Sequence, residues 1–176
     1  ADLDELLGQS ITQLDPWLDR VSGAEHGLVC LGENHDGHLR RLIATQILPR
    51  LPADILMIEA NRTGAARMVR HSGNRDYVPL LNRDISAVIL AAKNVNAGVR
   101  VLGIEETRRQ YDDRRSHKGI AREKAIDQNL RAVYVPGQRH VVLYGAFHCS
   151  HQSKLYKHLL DDPLPGGSTT MLNIRV

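Results

Sequence analysis

Aromatic residues are scarce in this chain of 176 residues: five Tyr, one Trp and one Phe make up 4% of it. Leu, Ile, Val and Ala must therefore fill the core. Cysteine is scarcer still. Two residues, Cys30 and Cys149, supply neither a disulfide framework nor a zinc motif. Cys30 lies in an apolar run and Cys149 follows His148, so both are expected to be free thiols in a reducing compartment. No apolar stretch approaches the ~20 residues that span a bilayer, so no transmembrane segment is expected. No signal peptide is recognisable either. Neither sign of charge dominates: 23 Lys and Arg stand against 20 Asp and Glu, a net charge of +3. The basic residues are scattered, and their densest run, Arg108 to Lys124, also holds Asp112, Asp113 and Glu123. A nucleic-acid partner is not expected on that pattern. Internal repeats and low-complexity linkers are missing too, which makes residues 1–176 a single domain. Because the chain starts at Ala1, that domain is expected to be excised from a larger protein.

What is present is an alternation. A short, uniformly apolar run at 27–31 suits a strand buried on both faces, 55–58 reads as a second buried strand, and 99–104 and 141–144 as a third and a fourth. Helical patterns separate them. One follows Asp36, with Leu39, Leu42, Ile43 and Ile47 on one face and Pro49 and Pro52 ending it. Others cover 65–69, the segment from an Asn82 cap to Gly98, 119–133 and 153–160. Ahead of the first strand, Leu3 to Leu14 reads as an amphipathic helix and Asp15-Pro16 as the start of another. A last strand over 170–176 would lie at an edge. The expected fold class is α/β, a mainly parallel sheet with helices on both faces.

Ligands of such sheets bind beyond the carboxyl ends of the strands. Here the first strand runs into Gly32-Glu33-Asn34-His35-Asp36, the second into Glu59, the third into Glu105-Glu106 and the fourth into Gly145-Ala146-Phe147-His148. Four strand ends thus bring carboxylates or imidazoles to one rim. Any one of these residues alone reads as a solvated loop or a cap; together they need partners, because like charges repel. Arg122 and Asn129, seven apart, share a helical face with Ile126 and Val133. Arg122 is therefore either a cation neutralising the rim carboxylates or a snorkelling surface residue. His140 reads as surface.

The ordered set of Leu31-Gly32-Glu33-Asn34-His35-Asp36, Glu59 and Gly145-Ala146-Phe147-His148 resembles the superfamily of erythromycin esterases, ChaN-type haem-binding lipoproteins and Tiki proteases. Within it the chain is most similar to the toxin branch, which holds the Ras/Rap-specific endopeptidase modules of MARTX toxins and the C2 modules of Pasteurella-type toxins. The esterases space the Glu and His of the first motif one residue wider. The short chain also leaves no room for the added helical domain of esterases or ChaN. The resemblance implies a catalytic set of Glu33, His35, Glu59 and His148, supported by Arg122, Glu105 and Asn129. It also implies a bacterial hydrolase domain, delivered into a host cell as part of a larger toxin, with a host protein such as a small GTPase as substrate.

A histidine among carboxylates can activate water for attack on an amide or ester. Either His35 or His148 fits the base, with Glu33 and Glu59 orienting it. No cofactor is expected in this reading. Two alternatives use the same region: a divalent metal held by Glu33, His35, Glu59 and His148, or a haem held by His together with Tyr77, Tyr111, Tyr134 or Tyr144. There is no Gly-x-Ser-x-Gly elbow and no His-Glu-x-x-His signature.

Overall fold

The computed structural model describes residues 18–19, 21–22, 27–34, 37–72 and 83–173. The helix expected over Leu3–Leu14, the Asp15-Pro16 start, the Asn82 cap, residues 174–176, His35, Asp36 and Tyr77 lie outside them. The elements are β1 (Leu28–Glu33), α1 (Gly37–Leu42), β2 (Ile55–Ile58), α2 (Arg62–His71), α3 (Arg83–Val95), β3 (Arg100–Gly103), α4 (Arg108–Arg115), α5 (Arg122–Val133), β4 (His140–Gly145), α6 (Lys154–Asp161) and β5 (Thr169–Asn173). After α1 the chain widens into a π turn, Ile43–Ile47, then tightens into a 3-10 turn, Leu48–Arg50, that holds Pro49.

The strands form one sheet in the order β3-β2-β4-β1-β5, and each pairing is parallel. Winding explains the helix placement. From β1 through β2 to β3 the chain moves one way across the sheet, then reverses to β4 and β5. Parallel crossovers are right-handed, so reversing the direction moves the connecting helices to the other face. Val29, Leu31, Leu56 and Ile58 accordingly pack against Leu39, Ile43, Ala65, Val88 and Ile89 on one face. Cys30, Met57, Val142 and Tyr144 pack against Ile126, Leu130, Leu155 and Leu159 on the other.

Two expectations are corrected by the fold. The helix expected from 119 starts at Arg122, and a separate helix, α4, occupies Arg108–Arg115 within the charged run. Nothing apolar marks α4. Its signal is the capping box: the Thr107 side chain accepts from the Gln110 N–H while Gln110 Oε1 accepts from the Thr107 N–H. His140, read as surface, is fully buried; it stacks on Tyr134 and accepts a hydrogen bond from the Val135 N–H.

Candidate active site

Glu59 leaves the end of β2 and is held from two sides. One carboxylate oxygen accepts the Gly145 N–H at 3.0 Å, the other the Arg122 guanidinium at 3.1 Å. Arg122 also makes a two-pronged contact with Glu105, at 3.1 and 2.6 Å, and the Tyr144 hydroxyl donates to Glu105 at 2.7 Å. Burial pushes the Glu105 carboxyl up, but the Arg122, Glu106 N–H and Tyr144 hydrogen bonds outweigh it and hold the group below the usual range. Tyr144 moves the other way, since burial and the neighbouring Glu105 both oppose its ionisation. The contact with Glu105 raises Arg122 further, so this cation is permanent.

Backbone placement makes this cluster possible. A side chain at Gly103 would run into the carbonyl oxygens of Ala60 and Asn61, so glycine lets the turn after Glu59 cross the end of β3. Asn129 donates to the Ile104 and Glu105 carbonyls and exchanges hydrogen bonds with Gln110, which ties the β3 exit to α5.

His148 stands in the turn after β4. Its Nδ1 lies 2.7 Å from a carboxylate oxygen of Glu123, whose second oxygen accepts the Lys154 N–H opening α6. A carboxylate accepts only, so Nδ1 carries a proton, and in the neutral ring the lone pair is on Nε2. The ring meets Tyr144 and Phe147 edge-on, at 5.3 and 5.7 Å between centroids. The next residue, Cys149, is bonded to Cys30, with their Cα atoms 5.4 Å apart. The expected pair of free thiols is thus a disulfide. Spacing along the chain hid it, because 119 residues separate the two and only the packing of the β4 exit over β1 brings them together.

Glu33 ends β1 level with Gly145 and is 1% exposed. Arg40 of α1 donates to it through Nε and Nη2 at 3.1 and 3.0 Å. The cations of Glu33 and Glu59 thus arrive from opposite faces of the sheet, Arg40 with the α1 side and Arg122 with the α5 side. Both cases differ from a cluster of mutually repelling carboxylates.

Two residues escaped the sequence reading, Arg40 and Glu123. Each carried a signal. Arg40 shares a helical face with Ile43 and Ile47, and Glu123 with Ile126 and Leu130, so each places a charge on a buried stripe.

Glu59, Glu105 and Arg122 open onto a cleft of about 640 Å³ that continues along α4 past Tyr111 and Arg114. Glu33 and His148 are outside its lining. The guanidinium groups of Arg108 and Arg114 each lie over the Tyr111 ring, at 6.0 and 5.4 Å from its centroid. Of the haem candidates, Tyr134 and Tyr144 spend their hydroxyls on Pro165 and Glu105. For a metal, no three His, Cys, Asp or Glu side chains gather into a binding group among the described residues, a set that omits His35.

No protein-family model matches the sequence, and no curated protein matches it. Solved structures do resemble it. RRSP, a MARTX toxin effector domain from Vibrio vulnificus, is 18% identical with a TM-score of 0.46, over 84% of this chain and 33% of that one. Two further structures of bacterial protein toxins are 16% and 14% identical, with TM-scores of 0.43 and 0.42, over 83% and 91% of this chain and 36% and 37% of theirs. The chain spans about a third of the length of each. Among the described residues no helix is long and apolar enough to cross a membrane.

Proposed function

We propose that this chain is the hydrolase domain of a bacterial toxin or effector, acting on an amide or ester bond without a required metal. The observation that carries the reading is the 2.7 Å contact between His148 Nδ1 and Glu123. A carboxylate in that position fixes the tautomer with Nε2 as the basic nitrogen and stabilises the imidazolium that forms when the ring takes a proton. In the reaction, Nε2 removes a proton from water and the resulting hydroxide attacks the carbonyl carbon. The proton then passes to the departing amine or alcohol as the tetrahedral intermediate collapses. Arg122, half-exposed above Glu59 and Glu105, is the fixed positive charge available to the developing oxyanion. By the resemblance of the sequence motifs, Glu33 and His35 complete the set, and a host protein such as a Ras-family GTPase is the substrate.

The test is incubation of the purified chain with Ras-family GTPases, followed by mass mapping of fragments. Wild type is expected to give one defined cleavage, with His148→Ala slower by at least ~100-fold and Glu123→Gln by about tenfold or more. Dialysis against a strong chelator is expected to leave the rate unchanged. A fully active His148→Ala variant would overturn the mechanism, and an intact GTPase would overturn the choice of substrate. Activity lost to the chelator and restored by zinc or manganese would replace the metal-free reading with the metal-dependent one.

A further inference from the structure

The turn between β4 and α6 carries His148 and has no regular secondary structure of its own. Its start is fixed by Ala146 N–H donating to the Glu33 carbonyl, and its end by the Lys154 N–H on Glu123. Between these points the backbone is held by the short His148 N–H to Gly145 bond and by Ser150 contacts within the turn. The remaining anchor is covalent. Cys149, 1% exposed, reaches down to Cys30, which is fully buried in the middle of β1. Cys30 is locked in register with Val142 of β4 and Met171 of β5, so it is among the most firmly placed residues of the sheet.

We propose that the Cys30–Cys149 disulfide is a positioning element for His148, so that opening the bridge loosens the base. The inference rests on the reading of His148 as the base. With the bridge closed, the residue beside His148 is fastened to a central strand and the imidazole is held against Glu123. Both sulfurs are buried, so a dithiol reaches the bridge when the turn opens transiently: the Cys30–Cys149 bond breaks, each sulfur gains a hydrogen, and the dithiol gives up two electrons and closes to its own disulfide. The turn then keeps only its hydrogen bonds, and a base displaced by about 1 Å can lose on the order of 100-fold in rate. Cys30 and Cys149 are positioning residues, not nucleophiles.

The experiment follows the His148 ring by NMR in the intact chain, oxidised and after treatment with a dithiol, alongside Cys30→Ser/Cys149→Ser and Cys30→Ala/Cys149→Ala. The oxidised protein is expected to show a downfield, slowly exchanging Nδ1 proton, assigned by its loss in His148→Ala. Reduction and both double variants are expected to broaden or remove that signal while the far-ultraviolet dichroism stays that of a folded chain. Where cleavage is measurable, kcat is expected to fall at least tenfold with KM changed less than threefold. An unchanged ring signal in the reduced, folded protein overturns the proposal. So does a chain that unfolds in every reduced or substituted form, since the bridge then serves the whole fold and not the base. The ring signal needs no substrate, so failure of this proposal is separable from failure of the hydrolase reading.

Discussion

Beneath α1, α2 and α3 the buried side chains on the sheet are aliphatic, with a half-buried Met68 packed against them, whereas beneath α5 and α6 the sheet carries a disulfide, a buried tyrosine and two buried methionines. The ion pairs differ in the same way. On the first side Glu33 and Arg40 are both nearly excluded from water. On the second, Arg122 spans Glu59 and Glu105 at the mouth of a cleft, with His148 and Glu123 nearby on the same face. The outward leg supplies Glu59 and Glu105 at the ends of β2 and β3, and the return supplies Arg122, Glu123 and His148, which pair with them or with each other. Glu33 and Arg40 are closed in against each other, whereas Arg122 on the other side keeps part of its guanidinium in water.

The strongest way to break this comparison is Glu33→Gln. It removes the charge that Arg40 pairs with at 3.0 Å, and a loss of about 3 kcal/mol is expected in urea unfolding. A variant as stable as wild type, or more stable, would mean that the Arg40 pairing does not outweigh the cost of burying the Glu33 charge.

Arg122→Ala tests the other side and is expected to cost less, about 1–2 kcal/mol, because Arg122 is 39% exposed and water replaces part of what it loses. Its pH signature is more telling. The folded Glu105 carboxyl titrates below its unfolded value, so its contribution is present above the unfolded pKa and lost as pH falls through the folded one. Without the guanidinium, burial acts with less opposition and the carboxyl moves up. Melting temperatures from about pH 6 to pH 3 are expected to fall less steeply in the variant than in wild type. Parallel curves would separate Glu105 from Arg122.

The smallest effect is expected at His140, at the opposite end of β4 from the site. Burial lowers its pKa, so below about 6.5 the unfolded chain binds the proton more readily and stability declines as pH falls. His140→Phe is expected to flatten that slope by about 1 kcal/mol or less between pH 7 and pH 5, whatever its constant cost. A slope that survives the substitution would point to a different histidine.

Much of the architecture was legible because it depends on local pattern. The four apolar runs became β1 to β4, and the Pro165-Gly166-Gly167 turn leads into β5 at the sheet edge, as the alternation implies. Helix α4 was illegible to periodicity because none of its residues is buried, and its capping box is a two-residue signal. His140 was misread for a related reason: a polar residue flanking an apolar run resembles a strand terminus in solvent until the neighbouring Tyr134 is seen to cover it.

For the site, residue type and strand-end position together brought Glu33, Glu59, Glu105 and His148 into view, since the carboxyl edge of a parallel sheet follows from strand order alone. Which partner each one takes did not follow. Arg40 for Glu33, Arg122 for Glu59 and Glu105, Glu123 for His148 and Cys30 for Cys149 lie 7, 63, 17, 25 and 119 residues apart in the chain. Local pattern dictates elements and faces because neighbouring residues share one backbone geometry. Pairing of charges and sulfurs across such distances was decided by the tertiary structure, because it depends on which faces the right-handed crossovers bring together.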